Sequence, residues 1–397
     1  MRLTTVLARV ALAAALITGT AIAAGGDESG AQAEAISTLT YLYGVSCTSP
    51  RACTAVGNSD TAPPVTTSLA ERWNGSRWAI QRTPSPRVVL TNLYAVSCAA
   101  PSACVGVGAP ADLAVKWNGA TWTIQRTPQF TDPAESAILY GVSCASSTAC
   151  TAVGTTGSPA SRAPISLAIR WNGSTWQVQR TPDRSVPSGG TYLKAVSCAG
   201  RSACTAVGYV GDQEIAEGNV PLAMSWNGAR WTIASTPVPA GTNNTNLNGV
   251  SCVSAAVCMA VGYAAESTGV GTVPLAERWN GSAWAISPMP APAGEGLETT
   301  LYGVSCTSRN ACTAVGDYYD PVDSRTRSLA ERWNGSAWAI QQTVNPGNDV
   351  DVYGVACASS TACTAVGRTF GGATTGWTSL IEHWNGATWT RASSPNP

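Results

Sequence analysis

Lysine, histidine and phenylalanine are almost missing from this chain of 397 residues. Lys116 and Lys194 are the only lysines, His383 is the only histidine, and there are two phenylalanines. Charged residues make up 12% of the sequence, with 23 basic and 23 acidic side chains balancing to zero. No basic stripe exists, so nucleic acid is excluded as a partner. One histidine cannot supply a Cys/His zinc site, and it leaves catalytic serines or cysteines without an evident base. No phosphate loop or dinucleotide motif occurs, and no cofactor is predicted. The preference for arginine over lysine needs no function, since GC-rich bacterial coding produces it.

Long apolar runs are also lacking. The longest, Val10–Ile22, follows Arg2 and Arg9 and precedes the small-x-small triplet Ala21-Ile22-Ala23. At about 13 residues it is too short for a comfortable membrane span, and it reads as a secretory signal peptide over 1–23. Residues 24–36, small and polar, read as a linker. The mature chain is then expected to be secreted, extracellular and monomeric, with no stable membrane span.

What the sequence has is repetition. Trp73-Asn74-Gly75-Ser76-Arg77-Trp78 sets a pattern, Trp-Asn-Gly-x-x-Trp, that recurs at Trp117, Trp171, Trp226, Trp279, Trp333 and Trp384. Asn-Gly supplies the positive φ of a tight hairpin turn, which places the two tryptophans opposite each other on paired strands. Asn-Gly-Ser at Asn74, Asn172, Asn280 and Asn334 also matches the glycosylation sequon, but turn chemistry accounts for it. Fourteen of the fifteen tryptophans belong to these pairs; packing between repeats explains them better than seven sugar-stacking sites.

The fourteen cysteines repeat with the tryptophans, as Cys47/Cys53, Cys98/Cys104, Cys144/Cys150, Cys198/Cys204, Cys252/Cys258, Cys306/Cys312 and Cys357/Cys363. An even count at regular spacing behind a signal peptide implies disulfides. Pairing within each copy is the simplest of many connectivities, and it would exclude thiol chemistry. First-cysteine spacings of 51, 46, 54, 54, 54 and 51 residues match the size of a propeller blade.

Each copy holds four short strands, A to D: Leu42–Cys47, Cys53–Gly57, Leu69–Trp73 and Trp78–Arg82 in the first. Thr83-Pro84 closes strand D, because proline cannot extend the ladder. The third residue of strand A is always Gly or Ala, as at Gly44 and Ala95, which predicts a crowding neighbour backbone. The first and last copies look like the others, so capping units, which a solenoid needs, are absent. The prediction is an all-β, seven-bladed β-propeller over 37–397. It has four antiparallel strands and one disulfide per blade, and blades start near residues 42, 93, 139, 193, 247, 301 and 352.

Leu139-Tyr140-Gly141-Val142, Thr151-Ala152-Val153-Gly154 and Asn172-Gly173-Ser174-Thr175-Trp176 fall in one blade in that order. This layout resembles the Asp-box, sialidase-type repeat propellers and the related secreted or thylakoid-lumen assembly-factor propellers. The likeness spans nearly all of the mature chain. It departs at the box itself, where Arg-Trp-Asn replaces serine-x-aspartate, and in adding the cysteine pair. It implies the fold and carries little about activity.

In such a meander the A–B and C–D turns share one face, nearly identical in every copy. The B–C and D–A loops share the other, which varies and is therefore the expected binding face. Candidate ligand residues there are Tyr209, Asp212, Asp317, Tyr318, Tyr319, Asp320, Asp323 and Trp377, with Glu214, Glu217, Asp349 and Asp351 nearby. Tyrosine and tryptophan suit stacking on a sugar or gripping a protein, and carboxylates suit hydroxyls. Asp317, Asp320 and Asp323 miss the EF-hand spacing, and no metal is predicted.

Strand A, expected to line the centre, reads as small and apolar. Arg72, Arg170, Arg278 and Arg332 repeat at one position and so do not form an arginine triad. That position drifts through Lys116, Ser225 and His383, as an exposed site would. Glu71, Glu277, Glu331 and Glu382 also repeat, which suggests a surface or cross-strand role. No catalytic residue is predicted. The reading is a secreted, non-catalytic module that binds an extracellular protein or glycan. The alternatives are a sialidase-like glycoside hydrolase or lyase, and a purely structural envelope protein.

Overall fold

The computed structural model describes residues 39–62, 65–84, 91–109, 113–128, 137–157, 164–182, 189–211, 218–267, 269, 271–293, 297–345, 349–372 and 376–396. The segments read as a signal peptide and linker, with Asp212, Glu214 and Glu217, lie outside them. The described residues form 28 strands and no helix. In unit 1, strands A (Leu39–Ser49), B (Ala52–Ala62), C (Val65–Trp73) and D (Trp78–Gln81) pair in chain order, each antiparallel to the next. Six further units repeat this order; those starting at Thr242 and Glu298 are joined by a single parallel pair, Thr272 with Glu298.

Local chemistry follows the sequence. Asn74 Oδ1 accepts the backbone N–H groups of Ser76 (2.9 Å) and Arg77 (3.0 Å), and Gly75 has φ of 95°. Trp73 thereby faces Trp78 across the ladder, with ring centroids 5.8 Å apart. Cys47 lies opposite Cys53, and all seven disulfides close within their own unit, with Cα atoms 3.9–4.0 Å apart.

The two cysteines of a pair differ in their surroundings. The second one, on strand B, is a core residue in every unit: Cys53, Cys104, Cys150, Cys204, Cys258, Cys312 and Cys363 are only 1–4% exposed. The first, on strand A, is half-buried. The within-copy pairing expected from the sequence is the one found, and the cysteines belong to the scaffold. The physical reason is that strand B lies inside the sheet, between A and C, with its cysteine turned toward the preceding unit. Thr54 Oγ1 of unit 1 lies 3.8 Å from Cys104 Sγ of unit 2, Thr151 Oγ1 3.7 Å from Cys204 Sγ, and Thr313 Oγ1 3.6 Å from Cys363 Sγ. Cys150 packs in the same way with Val105 and Val107 of unit 2.

The A strands touch one another in cyclic order, the last against the first. The approach is close: a Cβ on Gly44 would sit 2.9 Å from the Ala95 Cα, and one on Gly354 would sit 2.8 Å from the Tyr43 carbonyl oxygen. Successive units are also linked by hydrogen bonds. Cys98 N–H donates to Ser46 Oγ (3.0 Å), and the same bond recurs up to Cys357 N–H on Ser305 Oγ (2.9 Å). Ala356 takes the serine position in unit 7, so this bond is missing where the chain ends meet. That seam is held instead by side chains. Thr40 Oγ1 donates to Asn396 Oδ1 (2.6 Å) and accepts from Ser379 N–H (2.9 Å), while Trp78 Nε1 donates to His383 Nε2 (3.2 Å). Thr40 belongs to strand A of unit 1 and adds no fifth strand to unit 7.

The hydrophobic core lies between units rather than within them. Val56 and Ala70 of unit 1 pack with Leu93, Val115 and Trp122 of unit 2, and Val366 and Ile381 of unit 7 pack with Leu42 and Trp78 of unit 1. The second tryptophan of every pair is only 4–6% exposed. The residue preceding the first tryptophan is half-buried, which corrects the exposed position expected. Arg72 lies 5.3 Å over Trp117, Lys116 5.2 Å over Trp171 and Arg332 4.9 Å over Trp384, a cation on the next unit's indole each time. Such contacts contribute about 0.5–1 kcal/mol each at partly exposed sites.

The repeated glutamates are likewise not surface residues. Glu71, Glu277 and Glu331 are fully buried and Glu382 is 2% exposed, between units where units 2 to 4 carry Val115, Ile169 and Met224. Both faces of strand C are covered, so alternation no longer marks an outward side. Glu71 accepts from Ser394 Oγ (2.8 Å), whereas the Glu277 and Glu331 carboxyls have no hydrogen-bond partner among the described residues. Burial raises Glu277 and Glu331 to about 8, and Glu71 and Glu382 to about 7.

Two outcomes follow for stability. Trp176→Ala removes an indole that is 5% exposed and is expected to cost about 3 kcal/mol or more in urea denaturation. The four glutamates bind protons more tightly folded than unfolded. Their favourable contribution is therefore complete below the unfolded carboxyl value and is lost as pH rises through 7 to 8. Glu277→Met, matching Met224 of unit 4, is expected to raise the calorimetric midpoint, by more at pH 9 than at pH 5. An equal gain at both would mean that Glu277 is not protonated in the native protein.

Candidate functional site

The candidate site is the central channel and its mouth on the face of the B–C and D–A loops. Strand A alternates: its leucine or valine is buried, and its neighbour points inward to the other A strands. That neighbour is Tyr43, Tyr94, Tyr140, Lys194, Asn248, Tyr302 and Tyr353 in units 1 to 7. The tyrosines touch around the ring: Tyr302–Tyr353 at 5.5 Å, Tyr353–Tyr43 at 5.4 Å, Tyr43–Tyr94 at 5.5 Å and Tyr94–Tyr140 at 5.7 Å between centroids. This aromatic collar corrects the expectation that strand A offers only small and apolar residues to the centre.

One level toward the loop face, polar groups converge at the join of units 6, 7 and 1. Arg368 pairs with Asp351 Oδ2, which also accepts from the Tyr353 hydroxyl (3.1 Å). The guanidinium carbon lies 4.0 Å from the Trp377 ring centroid and 5.1 Å from that of Tyr41. Asp317 is buried beside this group. Desolvation first, and the Asp351 charge second, push its carboxyl well above the usual range, against the Val352 N–H and Arg368, which favour the charged form. Burial, with the aspartate charges added, also raises the Tyr302 and Tyr353 phenols. The result is an Asp351–Arg368 ion pair next to an Asp317 whose carboxyl burial pushes toward the protonated form, walled by aromatic rings.

No protein-family model matches the sequence, and the search of curated proteins finds no match. Solved structures do match. A structure of YCF48 bound to D1 peptide is 11% identical with a TM-score of 0.50, covering 90% of this chain and 93% of that one. The GH74 xyloglucanase of Xanthomonas campestris is 12% identical with a TM-score of 0.54 over 92% of this chain. This chain spans only 54% of the xyloglucanase. Virginiamycin B lyase from Staphylococcus aureus is 8% identical with a TM-score of 0.53, covering 86% of this chain and 95% of that one.

The fold is that of a β-propeller. At these identities the likeness speaks for architecture alone.

The propeller divides the residues singled out from sequence into three groups. Trp377 and Asp317 join the channel mouth. Tyr209 lies on the channel rim, stacked on Tyr192 at 4.7 Å. The hairpin tip of unit 6 forms a separate group. Tyr318 packs on the core, Tyr319 is half-buried, and Asp320 and Asp323 both pair with Arg327, Asp320 at 3.8 Å. Asp317, Asp320 and Asp323 therefore do not share one cation site. Asp349 Oδ1 accepts the Thr326 N–H (2.9 Å) and ties the D–A loop to unit 6. The cysteines make up the third group and belong to the scaffold. Cys104, Cys150, Cys204 and Cys363, like the other strand B cysteines, are oxidised and enclosed between units, where no ligand reaches them.

Sequence reasoning missed Arg368, Tyr41 and the collar. The collar had a signal, a tyrosine beside the small residue of strand A in five of seven repeats. Arg368 had none, because only the register of Asp351 with Arg368 brings the pair together. A groove of about 1300 Å³ also opens between units 3 and 4, lined by Gln177, Arg180 and Trp226 among others. It follows the side where the D strands lie and gathers no carboxylate.

Proposed function

We propose that this chain is an exported, monomeric seven-bladed β-propeller that binds an extracellular protein or glycan on its B–C and D–A loop face, without catalysis. The observation that carries this reading is the Arg368 guanidinium held over Trp377 and Tyr41 and anchored by Asp351. A fixed cation among half-buried aromatic rings is a common binding centre, because it offers contact area at little entropic cost. Seven disulfides fit an oxidising compartment, and the apolar, small-residue start of the chain fits export. No helix among the described residues is long and apolar enough to cross a membrane.

One observation favours a second reading, a glycoside hydrolase or lyase. Two neighbouring carboxyls, one of them, Asp317, pushed upward by burial, are an arrangement that acid–base catalysis uses. Against it, Asp351 is already bonded to Arg368 and Tyr353, and Asp317 receives the Val352 N–H.

A glycan array and a pull-down with the secreted protein, repeated with Trp377→Ala and Arg368→Met, test the proposal. Each variant is expected to weaken binding by about ten-fold or more, as for a central interface residue, with no turnover of the bound glycan. Undiminished binding by both variants would move the site elsewhere. Cleavage abolished by Asp317→Asn would favour the enzyme.

A further inference from the structure

The aromatic collar is incomplete. Ring contacts run without a break from Tyr302 through Tyr353, Tyr43 and Tyr94 to Tyr140, and stop where Lys194 and Asn248 replace tyrosine. One step along strands A and B, the same two units carry further tyrosines: Tyr192 and Tyr209, opposite each other in unit 4, and Tyr263 opposite Asn246 in unit 5; Tyr41 is the counterpart of Tyr192 in unit 1. At the gap two polar side chains, Lys194 and Asn248, thus stand among tyrosines.

Lys194 has an aromatic environment and, among the described residues, no acidic partner. Its Nζ lies 4.0 Å from the Tyr140 centroid and 5.8 Å from that of Tyr209. No ion pair involves it among the described residues. Asn248 Nδ2 donates to the Leu301 carbonyl (3.0 Å), which leaves Oδ1 as an acceptor. A half-buried ammonium without a counter-ion is an incomplete arrangement, since charged groups in such surroundings are paired.

We propose that the collar gap at Lys194 and Asn248 is a binding site for a small aromatic carboxylate. The carboxylate accepts charge-assisted hydrogen bonds from the Lys194 ammonium. The ring takes the place of the missing tyrosines, and neighbouring tyrosines favour an aromatic occupant. A ring hydroxyl opposite the carboxylate donates to Asn248 Oδ1. A sugar would need several more fixed donors and acceptors than the gap offers. This site lies in the channel and does not depend on loop-face binding.

The probes are 4-hydroxybenzoate and its neutral twin 4-hydroxybenzamide, titrated calorimetrically into the full secreted protein. The acid is expected to bind at least about ten-fold tighter than the amide, as for a hydrogen bond to a charged group. Burial lowers the Lys194 ammonium to about 8, so affinity for the acid should fall between pH 7 and pH 10. Lys194→Met should reduce the acid to the level of the amide. Asn248→Tyr should fill the gap and abolish binding. Arg368→Met, at the other side of the channel, should change nothing, which separates this site from the loop-face patch. Equal binding of acid and amide, no saturable binding of the acid in the millimolar range, or full affinity in Lys194→Met would each overturn the proposal. If Lys194→Met does not fold, the acid–amide comparison and the pH dependence on the native protein decide.

Discussion

The structure depends on how closely neighbouring inner strands approach. Even a methyl on Gly44 or Gly354 would press on the backbone of the next unit. With only glycine or alanine there, the A strands close into a ring, and each sheet can lay one face on the next. A four-stranded sheet this small is marginal alone. The buried indoles, and the cations laid over the next unit's tryptophan, supply between sheets the burial that none has within itself. The disulfides fix each A–B hairpin beside the close approach, so the crowded strands arrive in register.

The same constraint makes the site. A strand that presents leucine to the preceding unit and glycine to the following one has one direction left for the residue between them, and that direction is the centre of the ring. Five tyrosines, a lysine and an asparagine at one level are a by-product of ring closure. Symmetry also shows where the chemistry of the channel departs from the repeat. Lys194 and Asn248 interrupt the collar in units 4 and 5, whereas Asp317, Asp351 and Arg368 break the repeat in units 6 and 7. The rest of that level is filled by Tyr41, Asn92 and residues of no shared chemistry. The seam, where Ala356 drops the serine bond, is repaired by Thr40, Asn396, Glu71 and Ser394.

Much of the fold was legible because seven copies state the same rule. Trp-Asn-Gly-x-x-Trp fixes a hairpin by turn chemistry, the cysteines lie across one strand pair, and the small residue of strand A announces a close neighbour. What failed were inferences from polarity. Glu277 and Arg72 read as outward-facing because alternation assumes that one side of a strand meets water, and between blades neither side does. For the same reason spacing alone paired Cys98 with Cys104 but did not show that Cys104 is sealed against the preceding unit. The site was legible in part. Tyr209, Asp317 and Trp377 stood out on composition. Arg368 and Asp351 meet only through strand register, and Asp320 and Asp323 looked available although Arg327 holds both.

The central claim is a ring closed by side chains at the meeting of the chain's two ends. Thr40→Cys with Asn396→Cys tests it most directly, since the Thr40 hydroxyl and the Asn396 side-chain oxygen lie 2.6 Å apart. Peptide mapping of the oxidised double variant under non-reducing conditions should find an eighth disulfide, within one molecule, beside the seven native ones. Two free thiols at these positions, or a bond formed only between molecules, would contradict the account.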